Sequence, residues 1–182
     1  NIDSKDPRFS IYKTQRDDLV EKERLFLCDG LLSVERLIKS DYEILEILCL
    51  EKYLPFLESL AEFRPGLMNL VFTGESEILR EIRGYDLHQG IMGLSRVPDL
   101  EKTELESPLV ILNNVIEANN VGSVIRSAAA LGVNHCLIDE STCHPYIRRS
   151  VRVSMGNIFK MKIKRTGDLI GEIQNLRSKG IV

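Results

Sequence analysis

The sequence predicts an α/β protein with two domains. Short apolar runs alternate with segments of helical periodicity along most of the chain, which is the pattern of strands connected by helices. A length of 182 residues suits one large domain or two small ones. A polar, acid-rich stretch, PDLEKTELESP, has no periodicity and separates the alternation into two parts. We therefore place a linker at 99–108, between domains at 1–98 and 109–182.

The first domain is predicted to follow the order β-α-β-α-β-α-β, with helices on both faces of a small sheet. Residues 1–22 are polar and charged, and we interpret them as a solvated arm. Apolar residues at helical spacing predict helices at 31–40, 54–63 and 75–82. Apolar runs predict strands at 25–28, 43–50, 69–73 and 90–97, although the length of the second run also suits a helix.

The second domain is predicted to be a parallel α/β unit. Its first strand, at 109–113, is a continuous apolar run, as expected of a fully buried strand. Further strands are predicted at 135–139, 159–164 and 181–182. Helices are predicted at 121–131, 145–155 and 168–177, with Gly132 and Gly180 ending the first and the last of them. Because parallel strands point the same way, this order places several loops at one edge of the sheet.

Composition and cysteine spacing exclude several protein classes. An apolar fraction of 43% with 28% charged residues is typical of a globular protein and not of a disordered or collagen-like one. Apolar runs fall short of the roughly 20 residues of a membrane span, and the start NIDSKDPRF lacks a signal-peptide core. We therefore expect a cytoplasmic protein with no membrane partner. Four widely spaced cysteines without a C-x-x-C pair favour reduced thiols in or near the core.

The stretch NVGSVIRSAAALGV, at 120–133, is the strongest candidate for a functional site. Asn120 occupies a position that suits a helix N-cap, which is a structural role. Gly122 costs helix stability, so its presence indicates close approach of a ligand or of another backbone. Arg126 has no acid four residues before or after it. We therefore interpret its guanidinium as available above the strand ends, although a structural ion pair is the commoner role of such a residue.

A basic segment follows this stretch. Between Ser141 and Gly167 there is no Asp or Glu, and the segment carries seven cations: Arg148, Arg149, Arg152, Lys160, Lys162, Lys164 and Arg165. In a chain of net charge -3, this segregation predicts a local site for RNA or another polyanion. The alternative is a solvated helix face followed by a strand edge that lysines protect from pairing.

Other common sites lack their sequence signals. The three histidines, His88, His135 and His144, have no metal-ligand spacing with one another or with a cysteine, so we assign no metal. Neither G-x-G-x-x-G nor G-x-x-x-x-G-K-[ST] occurs in the chain, which disfavours a dinucleotide-binding or P-loop enzyme.

The residues around the candidate site resemble the SpoU (TrmH-like) RNA ribose 2'-O-methyltransferases of the SPOUT superfamily. LVILNNVIEANNVGSVIRSAAALGV matches the first family motif through Asn120, Gly122 and Arg126. YIRRSVRVSMGNIFKMKI continues the match, and its Ser-Met-Gly reaches the family glycine at Gly156. DLHQGIMGLSRV is similar to the end of the small domain that precedes the methyltransferase domain in many members. One departure is Glu117-Ala118, where many members carry Asp-Pro.

This resemblance, which covers most of the chain from about Leu25 onward, implies an activity and a domain plan. The expected reaction is S-adenosylmethionine-dependent 2'-O-methylation of a ribose in rRNA or tRNA, by a homodimer formed through the methyltransferase domain. The first domain is expected to be an RNA substrate-binding domain of ribosomal-protein-like α/β fold. Later family motifs, Gly-x-Glu and Ser-Leu-Asn, would lie beyond Val182. We therefore expect the cofactor-binding residues beyond that position, a chain truncated before the trefoil knot, and an inactive fragment.

The resemblance also assigns roles to individual residues. Arg126 and Asn120 are the expected catalytic residues, Arg126 activating the 2'-hydroxyl and Asn120 holding the loop or the ribose. The expected contacts to the RNA backbone come from Arg148, Arg149 and Arg152. Gly122 and Gly156 are expected to be structural loop residues. Two alternatives remain open: an RNA-binding or ribosome-assembly module that keeps the fold without catalysis, and a Rossmann-like enzyme with a small-molecule substrate.

Overall fold

The computed structural model describes residues 7–13, 16–83 and 90–181. The chain forms two compact units, Asn1–Val97 and Pro98–Val182. The first is called unit 1 and the second unit 2, and each is described by itself.

Unit 1 is built around a four-stranded mixed sheet. Its strands are β1 Leu25–Asp29, β2 Ile44–Cys49, β3 Val71–Thr73 and β4 Ile91–Arg96, in the spatial order β1-β4-β2-β3. Its α-helices are α1 Arg16–Glu21, α2 Leu31–Ile38, α3 Leu54–Ser59 and α4 Ser76–Arg83. Strand β4 pairs antiparallel with both β1 and β2, whereas β2 and β3 are parallel. The four strands and three of these helices lie where the apolar pattern predicts them, and the α/β class is confirmed.

The central position of β4 explains its composition. All of its residues except the last are buried, and its antiparallel neighbours satisfy its backbone on both sides. Gly93 in the middle of the strand lets the Leu37 side chain of α2 approach closely, since a Cβ added there would lie 3.1 Å from Leu37 Cδ2. The helix therefore packs tightly on the centre of the sheet.

The prediction of a solvated arm at 1–22 is wrong for the part that the structure describes. A 3-10 helix at Pro7–Lys13 and α1 both pack on unit 1. Phe9 is 2% exposed and Tyr12 is 3% exposed, and both lie in a core cluster with residues of β2, α4 and β4. The sequence hides this packing because a few apolar side chains are interspersed among many charged ones.

Two other boundaries in unit 1 differ from the prediction. Helix α3 ends at Ser59 instead of Phe63, and the chain continues in turns with hydrogen bonds between residues three apart. Gly66 then adopts a left-handed conformation (φ 82°), which starts a 3-10 helix at Leu67–Leu70. This turn delays β3 to Val71.

Unit 2 is a three-stranded parallel sheet with helices between its strands. The strands are β5 Leu109–Leu112, β6 His135–Asp139 and β7 Lys162–Thr166, in the spatial order β5-β6-β7. The helices are α5 Ala118–Ala130, α6 Arg148–Val153 and α7 Leu169–Ser178. The predicted parallel sheet is confirmed.

The segment predicted as a linker, 99–108, packs on unit 2. The Leu100 carbonyl accepts a hydrogen bond from the Arg165 backbone N–H (3.0 Å) at β7. Leu105 is buried in a core cluster with Leu137 and Leu176. The boundary between the units lies between Val97 and Pro98. A stretch rich in acids can therefore belong to a core when two leucines within it face inward.

Strand β5 is not fully buried, in contrast to the prediction. It lies at the edge of the sheet, and Ile111 is 36% exposed. A continuous apolar run does not distinguish a central strand from an edge strand, because both are apolar on the face that contacts the core. Ile181, where a further strand was predicted, is outside any strand, and Val182 lies outside the described residues.

The four cysteine thiols occupy buried or half-buried positions, as a structural role requires. Cys28, Cys49 and Cys136 are buried, Cys143 is half-buried, and none is in a disulfide. Burial raises the pKa of Cys49 to about 11 and that of Cys136 to about 12, so these thiols stay protonated.

Within the described ranges, no group of three or more His, Cys, Asp or Glu could hold a metal ion. No helix among the same residues is long and apolar enough to cross a membrane.

Candidate functional site

Helix α5 begins earlier than predicted, which changes the role of Asn120. The N-cap is Glu117, whose carboxylate accepts a hydrogen bond from the Asn119 backbone N–H (3.5 Å). Asn120 is therefore the third helical residue and not the cap, and its side chain is exposed. The helix begins earlier than predicted because Glu117 caps its N-terminus and Ala118 has a high helix propensity.

Arg126 lies farther along α5 than the sequence suggests. It is the ninth residue of the helix, in the third turn, and it is exposed. Six residues separate it from Asn120, which corresponds to about 9 Å along the axis and about 120° around it in an α-helix. The structure therefore places the two predicted catalytic residues on one helix but does not bring them to one point.

The guanidinium of Arg126 has no partner among the residues that the structure describes. It forms no ion pair or hydrogen bond with any residue in the described part of the chain. A guanidinium keeps its charge at physiological pH, and its five donors suit phosphate and alkoxide oxygens. An exposed arginine without a partner on a helix of small residues is therefore available to a substrate.

Gly122 has a packing role, in the middle of a helix and not in a loop as predicted. An added Cβ would lie 2.5 Å from the Ser150 carbonyl oxygen and 2.9 Å from Val153 Cβ, both on α6. The glycine is therefore needed where the backbone of α6 approaches α5. Of the two explanations that its presence suggested, close approach of another backbone is the one seen.

Gly156 ends the second matching segment. Helix α6 is shorter than predicted, and after Ser154 the chain turns through Met155 (φ 55°) and Gly156 (φ 78°), both left-handed. A 3-10 helix at Asn157–Lys160 follows, which moves the start of β7 from the predicted 159 to Lys162. Gly156 supplies a backbone conformation that is strained for other residues. Met155 adopts this strained conformation without being a glycine, and it is 43% exposed.

The basic segment carries less unpaired charge than its sequence indicates. Three of its cations are near acids: Arg149 Nη1 lies 3.8 Å from Glu117, Lys162 Nζ 3.9 Å from Glu106 and Lys164 Nζ 2.7 Å from Glu172. Arg165 Nη2 donates to the Glu140 carbonyl (3.1 Å). Arg152 and Lys160 are exposed and form no ion pair with a described residue. Acids from outside the segment therefore neutralise much of the predicted positive field.

The loops at the carboxyl edge of the sheet are joined by a polar cluster that the sequence did not single out. Asp139, the last residue of β6, accepts hydrogen bonds from the backbone N–H groups of Asn114 (3.0 Å) and Thr142 (3.1 Å) and from the Thr142 hydroxyl. Burial alone would raise the pKa of Asp139, but the hydrogen bonds from Thr142 and Asn114 outweigh it and lower that pKa. An Asp followed by Thr three residues later at a strand end is a local turn signal that could have identified it.

The histidines have structural contacts. His135 Nδ1 accepts a hydrogen bond from the Glu106 backbone N–H (3.0 Å), and His144 Nδ1 accepts one from the Tyr146 backbone N–H (3.2 Å). Burial and the nearby Lys162 lower the pKa of His135, which favours the neutral imidazole. His88 lies outside the described residues.

Comparison with known families decides the classification. The sequence profile of the SpoU rRNA Methylase family matches residues 107–182, the segment that contains β5, α5, α6 and β7. Unit 2 belongs to the SpoU family. The expected membership of this family, in the SPOUT superfamily, is thus confirmed.

Relatives of this chain extend over both units. A Mycobacterium tuberculosis protein named as an uncharacterized tRNA/rRNA methyltransferase is 25% identical over 190 residues, covering 98% of this chain and 64% of its own length. The human mitochondrial rRNA methyltransferase 3 is 32% identical over 83 residues, covering 41% of this chain and 20% of its own. The chain thus spans less than two thirds of the length of the mycobacterial relative.

Solved structures show that the fold is shared. An AdoMet-bound rRNA methyltransferase from Sinorhizobium meliloti superposes with a TM-score of 0.76 at 22% identity, covering 95% of this chain and 66% of that one. The SpoU methyltransferase AviRb from Streptomyces viridochromogenes, in complex with AdoMet, gives a TM-score of 0.71 at 17% identity, covering 97% and 69%. At these identities the likeness concerns the fold.

A groove beside β5 does not fit a cofactor of this kind. It lies between β5 and α5, and its walls are apolar except for Ser123 and Ser127. S-adenosylmethionine carries a sulfonium, an amino acid group and a ribose, which need acidic and amide partners that this groove lacks. The groove residues are therefore not assigned to cofactor binding.

Proposed function

We propose that the protein is an S-adenosylmethionine-dependent methyltransferase that methylates the 2'-hydroxyl of a ribose in rRNA or tRNA. The observation that carries the proposal is Arg126, which is exposed, has no partner among the described residues, and lies within the segment that matches the SpoU family. Structural relatives bound to AdoMet support the choice of methyl donor. A relative solved as an RNA 2'-O ribose methyltransferase supports the choice of acceptor atom; its TM-score is 0.71 at 20% identity.

Methyl transfer to the ribose requires activation of the 2'-hydroxyl, because a neutral hydroxyl is a weak nucleophile. The 2'-hydroxyl would release its proton to solvent water as its oxygen forms the new bond to the methyl group, and the carbon–sulfur bond of the donor would break to leave a neutral thioether. Negative charge develops on the 2'-oxygen as the proton departs. A guanidinium is a poor base because it is already protonated, but it stabilises a developing alkoxide and positions a phosphate by charge-assisted hydrogen bonds. Arg126 therefore acts by orienting the ribose and stabilising its oxygen. Asn120 lies about 120° around the same helix from Arg126 and holds the ribose or the loop beside it.

RNA contacts are assigned to cations on α6. Arg152 is exposed and unpaired within the described residues, and Arg149 has only a 3.8 Å contact with Glu117 at the surface. Such exposed pairs are worth little, so Arg149 remains available to a phosphate. Arg148 adjoins them on the same helix. The proposal also includes RNA binding by unit 1, a homodimer formed through unit 2 and a cytoplasmic location, all of which rest on the family resemblance.

A methyl-transfer assay tests the function. The full-length protein is incubated with total RNA and S-adenosylmethionine labelled with tritium in the methyl group, and acid-precipitable label is counted. RNA binding is measured in parallel at increasing salt, because phosphate contacts weaken as salt rises. We expect label in RNA and salt-dependent binding.

The two alternatives predict different results in the same assay. A non-catalytic RNA-binding module would bind RNA with salt dependence but transfer no label. A small-molecule enzyme of Rossmann-like fold would show neither. Either result would refute the proposed function.

A further inference from the structure

Two loops at the carboxyl edge of the unit 2 sheet are tied together by side-chain and backbone hydrogen bonds. One loop follows β5 and leads to α5, and the other follows β6. Asp139 accepts the Asn114 N–H, and the Thr142 hydroxyl accepts the Val115 N–H (3.2 Å). The Cys143 N–H donates to the Val115 carbonyl (2.9 Å). Two successive residues of the first loop are thus held: Asn114 by Asp139 at the end of β6, and Val115 by the loop that follows.

The burial and conformation of these residues indicate a fixed geometry. Thr142 is 2% exposed, and its hydroxyl lies between the Asp139 carboxylate and the Val115 N–H. Asn114 has a left-handed backbone (φ 56°), a conformation that costs energy for most residues and is tolerated best by Gly and Asn. Strained backbone persists where its surroundings determine it. Here the surroundings are Asp139 and Thr142.

The loop that they hold is the start of α5. Only Ile116 and Glu117 separate Val115 from the first helical residue, Ala118, so the direction of the loop sets the direction of the first turn. That turn carries Asn120. A small displacement of a substrate-contacting group has a large effect on a transfer that needs in-line geometry.

We propose that Asp139 and Thr142 are positioning residues for methyl transfer, which hold the β5–α5 loop so that Asn120 and the helix behind it face the ribose. This inference rests on the proposed function. Neither residue contacts substrate in this role; both act through the backbone of Asn114 and Val115.

The test uses the full-length protein and isosteric changes of one hydroxyl. Thr142→Val keeps the shape of the side chain and removes the acceptor for the Val115 N–H, whereas Thr142→Ser keeps the hydroxyl. The matched control is Asp168→Ala, which removes the N-cap carboxylate that accepts the Gly171 N–H (2.9 Å) at α7, on another helix of the same unit. Melting temperature, kcat and KM for RNA are measured for each variant, with rates expressed per folded molecule.

The expected result separates positioning from stability. Thr142→Val lowers kcat by about tenfold or more with KM for RNA changed by less than about threefold, because the arginines of α6 that are assigned to RNA contacts are untouched. Thr142→Ser restores kcat to within about twofold of wild type. Asp168→Ala loses thermal stability without a loss of kcat. If Thr142→Val does not fold, Asp139→Asn, which keeps the shape and an acceptor oxygen, gives the same pattern with a smaller loss of kcat.

Three outcomes overturn the inference, and they show whether the proposed function fails with it. If wild type transfers methyl groups and Thr142→Val is equally active per folded molecule, the positioning role is wrong and the proposed function stands. The same conclusion follows if Asp168→Ala loses as much kcat as Thr142→Val. If wild type itself transfers no methyl group to RNA, the proposed function fails and the positioning role fails with it.

Discussion

Two adjacent turns of α5 have opposite surroundings. At Gly122 the helix is packed against α6 so closely that even one methyl group would reach the Ser150 carbonyl. One turn later, on nearly the same side of the helix, Arg126 is exposed and has no partner among the described residues. The two residues belong to one sequence motif, yet Gly122 allows two helices to pack and Arg126 is exposed to a substrate. A family motif therefore does not identify catalytic residues without the structure around each of them.

The largest expected effect is on catalysis at the open turn. Arg126→Ala should lower methyl transfer by about a hundredfold or more, as the loss of a group that stabilises developing charge does. The free energy of unfolding of this variant should change by less than about 0.5 kcal/mol, because the exposed side chain has no partner in the described ranges of the chain. Steady-state rates and urea unfolding check both values. Arg177→Ala, on α7, is the matched control and should keep full activity; a parallel loss there would remove the contrast.

The packed turn should respond in the opposite way. Gly122→Ala gains about 1 kcal/mol of helix propensity but forces α6 away from α5, and overpacking of this kind costs about 1–3 kcal/mol or more. We therefore expect a net loss of stability, measured by urea unfolding. Ser127→Ala, at an exposed position of the same helix, should be nearly neutral. A stable Gly122→Ala protein would show that the close approach of the two helices is not required.

The same contrast between paired and unpaired residues applies to the basic segment. Arg152→Ala should weaken RNA binding several-fold and lower the slope of log affinity against log salt by about one, the effect of one phosphate contact. Lys164→Ala should change the affinity by less than about twofold, because Lys164 is paired with Glu172. Filter binding over a range of salt concentrations measures both. If the two changes weaken binding equally, RNA contacts the whole basic segment and ion pairing does not distinguish its members.

The smallest effect concerns pH. The folded-state pKa of Asp139 is lowered, so its contribution to stability is present above the unfolded carboxyl pKa of about 3.9 and is lost as the pH falls through the lower folded value. Wild type should therefore exceed Asp139→Asn in stability at neutral pH, and the difference should shrink below about pH 4. Unfolding of both proteins at pH 7 and pH 3 tests this. A difference that is constant with pH would show that the carboxylate charge has no part in it.

Regular elements with clear local signals were predictable from sequence. Strand β6 has the predicted bounds, and α7 begins after Asp168 because that side chain accepts the Gly171 N–H as an N-cap. Strands β3 and β7 start later than predicted, in each case after a turn at a left-handed residue. Gly66 and Gly156 each start a 3-10 helix and delay the next strand. Sequence periodicity does not report such turns.

Long-range contacts were not predictable from sequence. The acids that neutralise the basic segment come from outside it, as Glu106 and Glu172 do. The burial of Phe9 and Leu105 likewise depends on residues far along the chain. For the candidate site, the sequence identified Arg126 and Asn120, but their separation around α5 follows from where the helix begins. The motif gave the residues, and the structure gave their surroundings.

The most direct test of the central claim is the identity of the methylated atom. RNA treated with the full-length protein and S-adenosylmethionine is digested to nucleosides and analysed by mass spectrometry, with the Arg126→Ala protein treated in the same way. A ribose-methylated nucleoside, resistant to alkaline cleavage on its 3' side, should form with wild type and be absent or much reduced with the variant. Methylation on a base, or equal ribose methylation by both proteins, would contradict the account.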